Sequence, residues 1–292
     1  MKTLKWIPLL FLLLSGGALA QGGAAARQQV ESSMVVTGHV SVRGDGSVSE
    51  WELDQPEKLP PVALELVARV APTWRFEPVS MDGGHGVAKV PMRLRLVANR
   101  LGDGTYRVVI RNGYFGKDLP ADDERVRPDE TSVLRIVSQP AISYPDNAVN
   151  MRAQGRVYLI MKLGRDGRVQ DVVAEQVNLT IVGTAQQMKT ARDLLAVAAI
   201  RGARRWTYQP PTTGELAGKD SWSVRVTVDF IRTMAPQPEE YGRWNAYIPG
   251  PRQKAPWLED DLGEYGSPDL VDADGVQLAE RGLKLLTPLQ SG

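Results

Sequence analysis

Two alternating apolar runs, joined by a short turn, decide the fold class: GRVYLIMKLGRDGRVQDVV at residues 155–173. Val157, Leu159 and Met161 recur with a period of two, which is typical of a β-strand with one buried face. Asp166-Gly167 then separates this run from a second alternating run. Glycine tolerates the positive φ of a tight turn, so the stretch predicts an antiparallel β-hairpin.

A second stretch repeats this pattern earlier in the chain: GHVSVRGDGSVSEWEL at residues 38–53. Its turn is Asp45-Gly46, and a helical pattern follows each hairpin. After Pro60-Pro61 the apolar residues recur at helical spacing, and a similar stripe follows the second hairpin. The two stripes are Val62, Leu66 and Val70 in the first copy, and Met188, Ala191, Leu195 and Ala198 in the second. Each predicts a helix packed on a small sheet.

Matching hexapeptides close the two helical patterns: WRFEPV at residues 74–79 and WTYQPP at residues 206–211. Each leads to an alternating run, at residues 87–97 and 221–231. The order strand–strand–helix–strand therefore occurs twice. It predicts an α+β fold of two units, each an antiparallel sheet covered by one helix. Residues 105–111 predict an extra strand in the first unit.

The remaining segments define the domain boundaries. We predict a first unit at 34–115, a charged linker at 116–131, a second unit at 132–233 and a C-terminal arm at 234–292. The arm is rich in proline and aromatic residues. Proline disfavours regular structure, whereas disordered segments are usually poor in aromatic residues. We therefore expect an extended arm packed onto the units, with a docking segment for a partner as the alternative.

The end of the arm contains a helical pattern at residues 269–286. Val276, Ala279, Leu283 and Leu286 fall on one side of the predicted helix. Ser267 as cap and Pro268 at the first helical position favour its start.

The N-terminal residues 1–20, MKTLKWIPLLFLLLSGGALA, have the form of a secretory signal peptide. Lys2 and Lys5 precede an apolar run, and Ala18-Leu19-Ala20 provides small residues at the cleavage site. We expect cleavage before Gln21 and export to the periplasm. The alternative is an uncleaved anchor in the inner membrane, facing the periplasm.

Composition argues against most forms of catalysis. Lys and Arg number 35 against 34 Asp and Glu, so no broad positive charge favours nucleic acid. The chain has no cysteine, and its two histidines are His39 and His85. We expect both histidines to be solvated. The alternative is a metal site formed by these histidines with Asp82. We predict no catalytic residue, no metal and no small-molecule cofactor.

The ordered motifs of the second copy resemble the C-terminal domain of the TonB family. They are PAISYPDNAVNMRAQGRVYLIMKLGRDGRVQDV at residues 140–172, RRWTYQPP at 204–211 and VRVTVDF at 224–230. The first copy, from Val35 to Val97, resembles the same domain in a degenerate form. The resemblance implies a periplasmic domain that contacts outer-membrane receptors through a strand added to its sheet edge.

Carried over by position, the candidate partner-binding edge runs from Ser223 to Ile231. We expect Val224, Val226 and Val228 on one face and Arg225, Thr227 and Asp229 on the other. The complete set of candidate residues is Ser223, Val224, Arg225, Val226, Thr227, Val228, Asp229, Phe230 and Ile231. The equivalent edge of the first unit, Val90 to Val97, is expected to be blocked by the extra strand.

These features predict an exported, non-enzymatic module that binds an extended segment of an outer-membrane receptor or another envelope protein. Two departures from the energy-transducing members argue against force transmission: a cleavable leader and the lack of a long Pro-rich spacer. The alternatives are a membrane-anchored energy transducer for outer-membrane transport, or a structural envelope protein whose units bind each other. A homodimer is also compatible with the sequence.

Overall fold

The computed structural model describes residues 29–78, 86–101, 105–116, 131–231, 241–258, 270–271, 276–279 and 282–290. The leader at 1–20, most of the linker, and His85 lie outside the described residues. The strands are β1 (Glu31–Arg43), β2 (Val48–Leu53), β3 (Val87–Arg100), β4 (Tyr106–Phe115), β5 (Arg135–Ser138), β6 (Gly155–Gly164), β7 (Val169–Leu179), β8 (Thr207–Gln209), β9 (Ser221–Phe230), β10 (Asn245–Tyr247) and β11 (Val276–Leu278). The α-helices are α1 (Pro61–Val70), α2 (Asp146–Asn150) and α3 (Ala185–Ala203), with short 3-10 turns at Pro56–Lys58, Ala71–Thr73 and Glu215–Gly218.

The first sheet has five strands. Its main order is β10-β1-β3-β4. β10 pairs with Glu31–Ser33 of β1, and β2 pairs with Gly38–Val42 of the same strand. Helix α1 packs on one face, where its buried residues Ala63, Leu66, Val67 and Val70 share a core with the strands. Val62, which we predicted in this stripe, is 43% exposed. The extra strand is confirmed as β4, which pairs with β3 and covers its outer edge.

The second sheet has the order β11-β9-β6-β7. Helix α3 begins at a capping box, in which Thr184 and Gln187 exchange side chain–backbone hydrogen bonds. Its buried face, including Met188, Ala191 and Leu195, lies in one core with β6, β7 and β9. A separate ribbon pairs β5 with β8. Every strand pairing in the described ranges is antiparallel, so the predicted α+β class with antiparallel sheets is confirmed.

The two hairpin turns make the same contact with the two hexapeptides. Gly46 has φ 82° and its carbonyl accepts a 2.8 Å hydrogen bond from the Phe76 N–H. Gly167 has φ 72° and its carbonyl accepts a 2.8 Å hydrogen bond from the Tyr208 N–H. A Cβ atom at either glycine would lie within 2.0 Å of the carbonyl oxygen of Phe76 or Tyr208. Positive φ and close approach together require glycine at both turns.

The predicted helix at residues 269–286 is wrong for the part that the structure describes. Residues 276–278 form β11, and Leu285 makes an isolated β-bridge with Phe76. Val276 and Leu278 also fit a period of two, and the edge of β9 offers backbone partners that a helix could not use. Tertiary pairing therefore overrides the helical pattern here. None of the helices in the described part of the chain is long and apolar enough to cross a membrane.

Candidate functional site

The candidate edge lies on β9, between β6 and the short strand β11. Along its whole length β9 pairs with β6, in a register that sets Val226 opposite Leu159. On its other side, β11 pairs with Val224–Val226, so that Gln277 lies opposite Arg225. Ile231, the last candidate residue, lies one residue beyond the strand.

The predicted alternation of side chains along β9 is observed. Val224, Val226 and Phe230 lie in the core beneath α3, and Val228 packs against it. Arg225 and Thr227 point to the opposite face and are both buried. Asp229, nearer the surface, accepts two hydrogen bonds of 2.5 and 2.8 Å from the Arg156 guanidinium.

The centre of β9 is not an open edge, contrary to our expectation. β11 covers Val224–Val226, and the Ala279 N–H donates a 2.9 Å hydrogen bond to the Ser223 carbonyl. Val276 and Leu278 place their side chains in the same core as Val224 and Val226, and both are only 3% exposed. The chain therefore fills the site with a strand of its own arm.

A buried ion pair lies on the face of this sheet opposite α3. Arg225 donates two hydrogen bonds to the Glu175 carboxylate, at 2.7 and 3.1 Å, and the two side chains are 1% and 5% exposed. Glu175 lies at a β-bulge of β7, where Tyr158 pairs with Gln176 but Leu159 pairs with Ala174. The bulge removes Glu175 from the regular pairing with β6 and re-aims its side chain.

Gln277 lies beside this buried ion pair. Directly paired residues of an antiparallel ladder place their side chains on the same face, so Gln277 shares the face of Arg225. Its side chain is fully buried. The Nη1 atom of Arg225 is also buried and has no hydrogen-bond acceptor among the described residues.

The arm also covers β7, the other outer strand of this sheet. Leu179 and Ile248 exchange backbone hydrogen bonds of 2.7 and 3.0 Å, and the Gln253 N–H donates to the Glu175 carbonyl at 2.7 Å. Arg192 of α3 donates to the carbonyl of Pro249 at 3.1 Å. Burial lowers the pKa of the Arg192 guanidinium. Further along the arm, Ala255 and Leu258 pack on Ile160, on the face opposite α3.

The last part of the arm packs on the first sheet. The Leu283 N–H donates to the Phe115 carbonyl at 2.7 Å, and the Trp74 indole N–H donates to the Leu289 carbonyl at 3.0 Å. β10, nearer the start of the arm, pairs with Glu31–Ser33 of β1. The described residues of the arm therefore contact both sheets.

Side chains suited to metal binding do not cluster in the described ranges. No cluster of three or more His, Cys, Asp or Glu side chains in them could hold a metal ion. His39 is half-buried within β1, where it pairs with Glu52 and Pro91. Burial raises the pKa of Tyr208, whose phenol accepts a 2.7 Å hydrogen bond from Gln139.

Sequence reasoning missed three residues of the site: Glu175, Arg192 and Gln277. Glu175 stands within the run VVAEQV, where a charged residue in a largely buried strand signals a paired charge. No comparable signal marks Gln277, because its role depends on where the arm returns to the sheet.

No protein-family model, curated protein or solved structure matches the chain.

Proposed function

We propose that the chain is an exported, non-enzymatic protein-binding module with two units of the TonB C-terminal type. Its second unit binds an extended segment of an outer-membrane receptor or another envelope protein by strand addition along β9. The observation that carries this proposal is the pairing of β11 with β9. A short extended segment from outside the unit already occupies this edge, in the geometry that strand addition requires.

The repeated contacts of the hairpin turns support the assignment of two related units. In both units, the carbonyl of a glycine with positive φ accepts a hydrogen bond from a backbone N–H of the hexapeptide. The donor is the aromatic residue two positions after the tryptophan. Both tryptophans, Trp74 and Trp206, are buried in their respective cores. A common turn, helix and aromatic closure are what a duplicated unit would retain.

Binding at β9 requires the displacement of β11. The strand has only three residues, and its pairing with β9 is limited to Val224–Val226 and the adjacent Ser223. A tethered strand competes at an effective concentration on the order of millimolar, so the partner must make better contacts or pair over a longer stretch. The arm would thereby set the affinity threshold for a partner.

A reversible disulfide between β9 and β11 tests the proposal. Val226 and Val276 are directly paired. Hydrogen-bonded and non-hydrogen-bonded pairs alternate along an antiparallel ladder. Because the Ala279–Ser223 pair, three positions away, is hydrogen-bonded, the Val226–Val276 pair is not. Non-hydrogen-bonded pairs have Cα atoms about 4.5 Å apart, within the usual disulfide range. The natural chain contains no cysteine, so the double variant V226C/V276C forms one defined bridge.

We expect the oxidised double variant to capture no outer-membrane protein that the reduced form captures from a solubilised envelope fraction. The single variant V226C, with and without reductant, controls for the reductant and for the loss of a methyl group. Equal capture by the oxidised and reduced forms would contradict strand addition at β9.

A structural envelope protein is the second candidate, favoured by the extent to which the arm covers the sheets. The arm pairs with β1, β7 and β9, and the face around Ile160 is buried beneath it. In this case the arm remains in place permanently. Hydrogen exchange at Gln277 and Ala279 as slow as in the core of β6 would favour this function over partner exchange.

A further inference from the structure

The buried polar group beside β11 indicates which partner sequence the β9 edge accepts. We propose that this site selects an extended segment with the pattern apolar–uncharged–apolar, which replaces Val276, Gln277 and Leu278 antiparallel to β9. This inference rests on the proposed function and adds the partner's side-chain chemistry to it.

The two apolar positions are specified by the core beneath α3. Val276 and Leu278 project into the cluster that contains Trp222, Val224 and Val226. Their nearly complete burial means that a partner with polar side chains there would leave unpaired groups in an apolar core. Both flanking positions of a partner strand must therefore be apolar.

The middle position is specified by Arg225. Its charge is already balanced by Glu175 through two hydrogen bonds, so the pair has no net charge before a third side chain arrives. A lysine would add an unbalanced buried cation, and a glutamate an unbalanced buried anion. The buried Nη1 atom of Arg225, however, is a donor without an acceptor among the described residues. The Oε1 atom of Gln277, which lies at this position, does not accept from Nη1, so the balanced charge of the Arg225–Glu175 pair is what requires an uncharged side chain here.

Peptide binding to a chain whose own strand has been released tests the selectivity. The full-length variant V276D/L278D places two carboxylates in the core and should detach β11. The probe is a fluorescent peptide of residues 273–281, ADGVQLAER, followed by fluorescence anisotropy. Q277P is a second releasing variant, since it removes a backbone N–H from the paired side of β11 without placing charge in the core. Circular dichroism confirms that each variant is folded.

We expect the peptide to bind both releasing variants, and its Gln277→Lys form to bind at least about tenfold more weakly, with the Gln277→Glu form also weakened. Equal binding of the three peptides would overturn the selectivity and leave strand addition standing. Binding of none of them to either folded variant would overturn both. A concentration-dependent dimer of the unmodified chain, absent in V276D/L278D, would assign the site to a second copy and overturn the proposed partner.

Discussion

At the scale of single residues, the Arg225–Glu175 pair is costly to bury and more costly to break. Both side chains are almost fully buried, so removal of one partner leaves an uncompensated charge. We predict that Glu175→Ala lowers the free energy of unfolding by about 3–5 kcal/mol in urea denaturation. The double replacement R225M/E175L should be close to neutral, because neither charge remains.

An exposed ion pair provides the control for this experiment. Lys189 and Asp193 are bonded at 2.7 Å on the surface of α3, with side chains 70% and 60% exposed. Lys189→Ala should change the free energy of unfolding by less than about 1 kcal/mol. A similarly small effect of Glu175→Ala would show that the buried pair is hydrated in solution.

Gly167 is required by both its backbone conformation and its neighbour. It has φ 72°, and an added Cβ would lie 1.8 Å from the Tyr208 carbonyl oxygen. We predict that Gly167→Ala lowers the free energy of unfolding by more than about 1–2 kcal/mol, since left-handed strain and a clash with backbone add together. Gly218→Ala is the matched control, because no atom lies within 4 Å of its added Cβ. Equal melting temperatures for the two variants would contradict this account.

The buried phenol of Tyr208 should make the protein less stable at high pH. Burial raises its pKa above the ordinary value of 10.0, so the folded state favours the neutral phenol. This contribution is complete below pH 10 and is lost as the pH rises above it. We predict that the free energy of unfolding falls less steeply between pH 9.5 and 11 in Tyr208→Phe than in the unmodified chain. Parallel profiles from urea denaturation over this range would contradict the assignment.

At the scale of secondary-structure elements, α3 depends on the capping box at its start. The Thr184 hydroxyl accepts from the Gln187 N–H at 3.2 Å, and the Gln187 side chain accepts from the Thr184 N–H at 2.9 Å. We predict that Thr184→Ala lowers the free energy of unfolding by about 1 kcal/mol. Thr184→Ser retains the hydroxyl and should stay within a few tenths of a kcal/mol. A loss of the same size in both variants would assign the effect to the methyl group.

The elements that sequence reasoning predicted correctly are those with local causes. The turns at Gly46 and Gly167, the two long helices and the alternation along β9 each depend on residues close in sequence. β11 was predicted as part of a helix because Val276, Ala279 and Leu283 match helical spacing. Its strand conformation depends on pairing with β9, some fifty residues earlier in the chain. The residues around β11 do not indicate this pairing partner.

At the scale of the whole molecule, the arm links the two sheets. It supplies β10 to the first sheet and β11 to the second, and Leu289 accepts the hydrogen bond of the buried Trp74. Composition predicted that the arm would pack, since its aromatic residues suit burial, but not where. The alternation along β9 was predictable from its own residues, while the occupation of its edge by the arm required the structure.

Removal of the arm should convert covered sheet edges into sites of self-association. A chain that ends at Ile231 lacks the partners of β7 and β9 and uncovers Ile160, so open edges and an apolar face are exposed together. We predict that this truncated chain forms dimers or larger species in sedimentation velocity, at concentrations where the full chain sediments as a smaller species. Unchanged sedimentation would contradict a protective role of the arm.

A second truncation separates loss of edge protection from loss of stability. A chain that ends at Arg281 retains β10 and β11 but lacks the residues that contact Phe115 and Trp74. It should unfold at a lower temperature, because the buried Trp74 indole N–H loses its acceptor. Its sedimentation should nevertheless match that of the full chain, because β9 is still covered. If both truncated chains self-associate equally, the protective contact lies in residues 282–292 and not in the pairing of β11 with β9.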